Sequence, residues 1–262
     1  MSPAPPVTSH PDTRSAVRSA LASTAAGLPL PGAGETATRW ATLARLSRDD
    51  VAVGRLVEAH VDADAILAEV LGERTDPGQW WGVWAAEPPR PRLTATQTDD
   101  GWILTGAKAW CSGAGLATHA LVTADTDDGI RLLAVALDHP GVTTDLTTWS
   151  NPGMAGTATG TVSFAGVPAR HVGDRSAYLE RSGFWHGAIG VAACWLGGAE
   201  RVADTLRRAA STRDLDPHAL AHLGAVESTL AAARWSLAGA AAETDAAPDD
   251  QPGAHRRALV VR

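Results

Sequence analysis

Gly101-Trp102-Ile103-Leu104-Thr105-Gly106-Ala107-Lys108-Ala109-Trp110-Cys111-Ser112 decides how this chain is read. Trp102, Ile103 and Leu104 are good strand formers. Thr105-Gly106 gives a turn, and Ala107 to Cys111 resumes an extended run. Asp99-Asp100-Gly101 just before is a hairpin signal, because glycine tolerates positive φ at no steric cost. At a period of two, Trp110 and Ser112 are expected on the same face of one strand. An indole beside a hydroxyl can cover a flat ring and hydrogen-bond its edge. From spacing alone, a hairpin whose tryptophan is simply core is the plainer reading.

Working outward, 262 residues can bury a sizeable core as one large domain or two smaller ones. A net charge of −7 argues against a nucleic-acid partner, which needs a basic footprint. Two cysteines, Cys111 and Cys194, make neither a disulfide framework nor a metal cluster, and they fit a reducing cytoplasm. No apolar run approaches ~18 residues, so no membrane span is expected. Met1 to Thr13 is rich in Pro, Ser and Thr, so residues 1–14 are expected to be a disordered tail rather than a signal peptide.

The flanks read as helical. In an N-terminal helical domain (15–77), helices are expected over Ser15–Ala26 and Thr36–Leu46, with Trp40, Leu43 and Leu46 on one stripe. Arg48-Asp49-Asp50 can start another with Val53, Leu56 and Val57 on its buried face, and Ala63–Val70 a further one. His60 on such a face is more often a satisfied histidine than a catalytic one. Residues 78–172 read as short strands parted by turn clusters, which predicts a small sandwich or barrel. Residues 176–262 are helical again: a long helix over Ser176–Arg208, then one opened by Asp216-Pro217, with Leu220, Leu223, Val226, Leu230 and Leu237 on its buried side. Glycines such as Gly197 in the long helix require the close approach of another backbone or a flat ligand. The fold class expected is α+β multidomain.

Several motifs occur together and in order. Gly-Trp-x-Leu-x-Gly-x-Lys-x-Trp-x-Ser (Gly101–Ser112) resembles the middle-domain signature of the acyl-CoA dehydrogenase family. Val83–Pro88 resembles that family's "x-Thr-Glu-Pro-Gly" loop. Gly153–Gly160 and Val162–Pro168 resemble its "Gly-Met-Arg-Gly-Thr" turn and "Phe-x-x-Val-x-Val-Pro" strand. The resemblance implies an FAD-dependent oxidoreductase that removes a proton and a hydride from adjacent carbons of an acyl-CoA. It places Trp84, Ala86, Trp110, Ser112 and Arg213 at the cofactor. Electron-transfer flavoprotein or another acceptor, and a homodimer or homotetramer, are the partners it implies.

There are departures. Ala86 stands where the family has a hydroxyl, and Pro89-Arg90-Pro91-Arg92 replaces its Gly-Ala-Gly-Ser. Proline offers no N–H. Arg90 and Arg92 are candidates for substrate phosphates, or a solvated pair. Leu179-Glu180-Arg181 looks like the minority arrangement that puts the catalytic base early in the C-terminal bundle. Glu180 is thus the candidate base, with a helix N-terminal surface charge as the alternative, and His186 is a weaker second candidate. Arg213 keeps the first residue of the family's "Arg-x-x-Phe-Gly", but Phe and Gly are missing. Two more helices would follow Arg262 in the family, so the bundle is expected to be incomplete. A non-catalytic or truncated homologue kept for partner binding is the competing reading.

Overall fold

The computed structural model describes residues 10–23 and 27–261. Expectations that fall on residues 1–9, 24–26 and 262 lie outside them. The chain divides into two compact units, one formed by residues up to 27 with 59–181, the other by 28–58 with 182–262. The division falls inside one helix, α3 (Val51–Leu71).

In the first unit, α1 (His10–Ser23) occupies part of the expected tail, with Asp12 in its first turn where an acid favours the helix dipole. Seven strands follow: β1 (Trp81–Trp84), β2 (Leu93–Thr98), β3 (Gly101–Cys111), β4 (His119–Thr126), β5 (Gly129–Ala136), β6 (Val142–Asp145) and β7 (Gly160–Asp174). Pairing runs β4–β2–β3–β7–β5 and returns from β5 to β4, which closes a barrel. β1 adds to β4 in parallel and β6 to β7 antiparallel. The β2–β3 hairpin turns where Asp99-Asp100 predicts, with Thr98 opposite Gly101. Leu104, Val122, Leu133, Val162, Phe164 and Val167 fill the interior. Gly106 has φ +112, and a Cβ there would lie 2.4 Å from the Arg92 carbonyl oxygen, so only glycine fits.

α3 (Val51–Leu71) is one continuous helix where two were expected. The Asp50 carboxylate accepts hydrogen bonds from the Ala52 and Val53 N–H groups, as the N-terminal signal requires.

The second unit holds α2 (Thr36–Asp49), the start of α3, α5 (Ser182–Thr212), α6 (Pro217–Ala246) and α7 (Gln251–Val261). Trp40, Leu43 and Leu46 of α2 are buried as the stripe predicts. The start of α2 lacks a side-chain cap of its own, and Asp245 of α6 supplies one by accepting from Thr36 N–H and Oγ1–H. At Gly197 of α5 an added Cβ would stand 2.0 Å from the Ala44 carbonyl oxygen of α2, so another backbone explains that glycine. The Asp216 carboxylate caps α6 through Ala219 N–H. Leu230 and Leu237 are buried, but Leu220 is 53% exposed, which corrects the expected buried face at the start of α6.

The single helix expected over Ser176–Arg208 is two. α4 (Arg175–Leu179) ends at Glu180, and α5 begins at Ser182. Among the described residues, no helix is long and apolar enough to cross a membrane.

Candidate functional site

The end of β3 departs from simple alternation. Pairing with β7 passes from Lys108–Val162 to Cys111–Gly160, so β3 carries one residue more than its partner over this step. This is a β-bulge. Trp110 takes φ +61, a conformation that costs a bulky residue on the order of 1–2 kcal/mol. Cys111 turns into the core, where burial pushes its thiol up to about 12. Trp110 is turned outward and is 53% exposed. β3 ends at Cys111 and Ser112 lies in the following turn, so the expectation that Trp110 and Ser112 share one strand face is corrected. They are neighbours through the bulge and the turn instead.

Ser112 belongs to a row of hydroxyls. Its Oγ lies 2.9 Å from Thr159 Oγ1, which lies 2.8 Å from Thr157 Oγ1. Thr157 donates its only proton to the Met154 carbonyl at 2.7 Å. Thr159 therefore donates to Thr157, and Ser112 donates to Thr159. The lone pairs of Ser112 are left as acceptors for an outside N–H or O–H. The positive φ of Ala158 (+46) between the two threonines keeps both side chains in the row.

Beside the row, reached at Thr159, is a cavity of about 250 Å³, lined also by Leu146, Trp149, Asn151 and Ala158 among others. The Trp149 Nε1–H is buried without a hydrogen-bond partner among the described residues. Such a donor is costly unless a ligand or water takes it. An exposed indole face, an outward acceptor at Ser112 and an unfilled donor at Trp149 fit a flat heteroaromatic ring with polar edges.

Behind the bulge, Lys108 is almost fully buried. Its ammonium donates to Thr123 O (2.8 Å), Thr123 Oγ1 (2.6 Å) and Glu87 Oε1 (2.9 Å), which uses all three protons. Thr123 Oγ1 also donates to Glu87. The loop at 85–87 is thereby tied to β3 and β4. The sequence contains Lys108, Thr157 and Thr159 within its quoted motifs, but spacing alone gives no sign of these bonds.

The remaining expected residues divide. Trp84 is 3% exposed and its Nε1 donates to the Ser112 carbonyl at 2.9 Å. Its indole is core, so it holds the Ser112 turn and cannot cover a ring. Ala86 is exposed in the loop beside Glu87. Arg92 is paired with Asp125 at 2.8 Å, while Arg90 is exposed beside it. Glu180 is exposed at the end of α4 and accepts from Ser176 Oγ at 3.1 Å. In the second unit His186 is 3% exposed and its Nε2 donates to the Pro248 carbonyl at 3.1 Å. That bond ties α5 to the segment before α7, a structural role for the weaker second candidate. Arg213 is exposed just beyond α5.

Residues 87–167 match the family model of the acyl-CoA dehydrogenase middle domain. No curated protein matches the chain. Solved structures share the fold. The nitrososynthase from Micromonospora carbonacea var. africana is 21% identical, with TM-score 0.69 over 98% of this chain and 81% of that one. TdsC from a Paenibacillus species, solved with FMN and indole, is 18% identical, with TM-score 0.69 over 96% and 80%. A steroid ACAD is 22% identical, with TM-score 0.66 over 97% and 76%. The chain thus has the acyl-CoA dehydrogenase fold, with helices at both ends and a β-barrel between them.

Proposed function

We propose that the chain holds a flavin against the Trp110 bulge and acts as a flavin-dependent oxidoreductase on a small molecule. The observation that carries this is the exposed, backbone-strained Trp110 at the head of the hydroxyl row, inside the segment that matches the family model. Strain held at an exposed aromatic is a signature of function rather than of packing. When bound, the flavin supplies a hydride acceptor at N5. The indole of Trp110 covers one ring face and keeps water from it. Ser112, its own proton committed to Thr159, accepts from an N–H on the ring edge. Trp149 Nε1–H offers a donor to a ring oxygen or nitrogen. The Lys108–Glu87–Thr123 cluster fixes the backbone on which this wall stands.

The finer reading is FAD as the flavin and an acyl thioester as the substrate, dehydrogenated between its α and β carbons. Glu180 takes the α-proton, Arg90 holds a substrate phosphate, and Arg213 of a second copy of the chain holds a phosphate of the FAD. An electron-transfer flavoprotein or another acceptor, and further copies of the chain, complete it. A second reading is favoured by the exposure of Glu180 and by Ala86, which removes a hydroxyl from the flavin loop. In it, the bound flavin serves an oxidation that needs no carboxylate base; a solved structure of the same fold, TdsC, holds FMN with indole.

Anaerobic mixing of the flavin-loaded protein with a series of acyl-CoAs tests these readings. Bleaching of the flavin band that is lost in Glu180→Gln supports the dehydrogenase. Bleaching that survives Glu180→Gln removes Glu180 as the base. No bleaching by any acyl-CoA, with flavin bound, leaves the second reading. Failure to bind either FAD or FMN refutes both.

A further inference from the structure

A second cavity of about 620 Å³ lies within the first unit and shares no lining residue with the Trp110 bulge. Arg18 and Leu21 of α1, His60 and Asp64 of α3, and the loop from Arg74 to Trp80 line it. Its volume is in the range of sites that enclose a small organic molecule.

His60 decides its chemistry. The side chain is 8% exposed, and its Nδ1 accepts from the Trp81 N–H at 3.2 Å. The ring proton of the neutral imidazole therefore sits on Nε2. Nε2 has no hydrogen-bond partner among the described residues. Burial lowers the pKa of His60 to about 4, against an opposing pull from Asp64, so the ring stays neutral near pH 7. His60 lines the cavity, and its Nε2–H is a donor to which no described residue offers an acceptor.

The other polar groups sharpen the choice. Asp64 is saturated: it accepts from Arg74 Nε and Nη2 at 2.9 and 2.6 Å, and from Thr75 N–H and Oγ1–H. Asp76 is tied to Gln79. Arg18 has no ion pair among the described residues. The His60 and Arg18 donors are left over, while both Asp64 oxygens are engaged. Leu21, Ala22, Val61 and Trp80 supply apolar wall. A phosphate dianion suits the cavity poorly, because one unpaired guanidinium faces two aspartates that line the same space.

We propose that this cavity is a separate binding site for a small monocarboxylate with an apolar body. The carboxylate accepts from His60 Nε2–H and pairs with Arg18, and the body lies against Leu21, Val61 and Trp80. The proposal does not depend on the flavin reading.

Fluorescence titration of the full chain with 2-naphthoate tests it. One saturable site is expected, weakened about tenfold or more in Arg18→Ala and in His60→Ala. His60→Gln, whose amide places an N–H where Nε2 stands, stays within about threefold of the parent. The uncharged 2-naphthamide binds at least about tenfold more weakly than the acid. Inorganic phosphate does not displace the acid, and neither added FMN nor Trp110→Ala changes its affinity. The proposal is overturned by no saturable binding, by unchanged affinity in Arg18→Ala, by displacement with phosphate, or by lost affinity in Trp110→Ala. Should His60→Ala fail to fold, Arg18→Ala, on the exposed side of α1, decides the matter.

Discussion

Replacing Lys108 by Met is the sharpest test of how the site is built. Met keeps the volume of the stem, so no large cavity opens. What goes is the ammonium and its three hydrogen bonds to Thr123 and Glu87. The Glu87 side chain is 40% exposed and regains water, so the ion pair itself counts for little, about 0–1 kcal/mol. The Thr123 end is buried, and a charge-assisted bond there is worth about 1.5–3 kcal/mol. Together the change should cost about 2–3 kcal/mol, a roughly 30- to 150-fold shift in the folding equilibrium. Urea unfolding measures it, with amide exchange in β3 and β4 to isolate the first unit, because a two-unit chain need not unfold in one step. Flavin affinity should fall as well, since Trp110 follows two residues later and the 85–87 loop loses its tether. A loss of stability below about 0.5 kcal/mol would refute the tethering role.

Gly106→Ala drives a methyl group to 2.4 Å from the Arg92 carbonyl at a positive φ, and should destabilise the barrel by about 2–4 kcal/mol in the same urea assay. Trp84→Phe removes the indole donor to the Ser112 carbonyl and leaves a gap in the core; a loss of about 2–3 kcal/mol is expected, with weaker flavin binding beside it. Stability should also depend on pH through His60. The unfolded chain takes a proton near 6.5, while the folded ring resists it down to about 4. The stabilisation is whole above about pH 6.5 and drains away as pH falls toward about 4, an effect of about 3 kcal/mol. His60→Gln should flatten that slope, and a parent midpoint that does not move between about pH 7 and pH 4.5 would contradict it. Asp64, whose own pKa is held below the usual 3.8 by Arg74 and Thr75, adds its loss only at lower pH.

Much of the architecture is written in local signals. Asp50 and Asp216 announce their helices because a carboxylate before a run of helix formers has orphan N–H groups to satisfy. The β2–β3 hairpin is visible because Asp99-Asp100-Gly101 fits only a tight turn. The bulge at Trp110 is not visible, because one extra residue leaves the apolar pattern of β3 intact and shows only in its pairing with β7. The break at Glu180 is equally hidden, because Leu179, Glu180 and Arg181 carry no helix-stop signal. His186 reads as a polar residue in an aromatic run, and only the structure shows its bond to Pro248. The hydroxyl row joins Ser112 to Thr159 across 47 residues, a distance no motif spacing encodes.

Equilibrium titration of the apo protein with FAD and FMN, followed by quenching of flavin fluorescence, tests the central claim most directly. The account predicts saturable binding of at least one flavin, weakened about tenfold or more by Trp110→Ala while the urea midpoint falls little. A protein that quenches neither flavin, or that binds equally well without the indole, would contradict it.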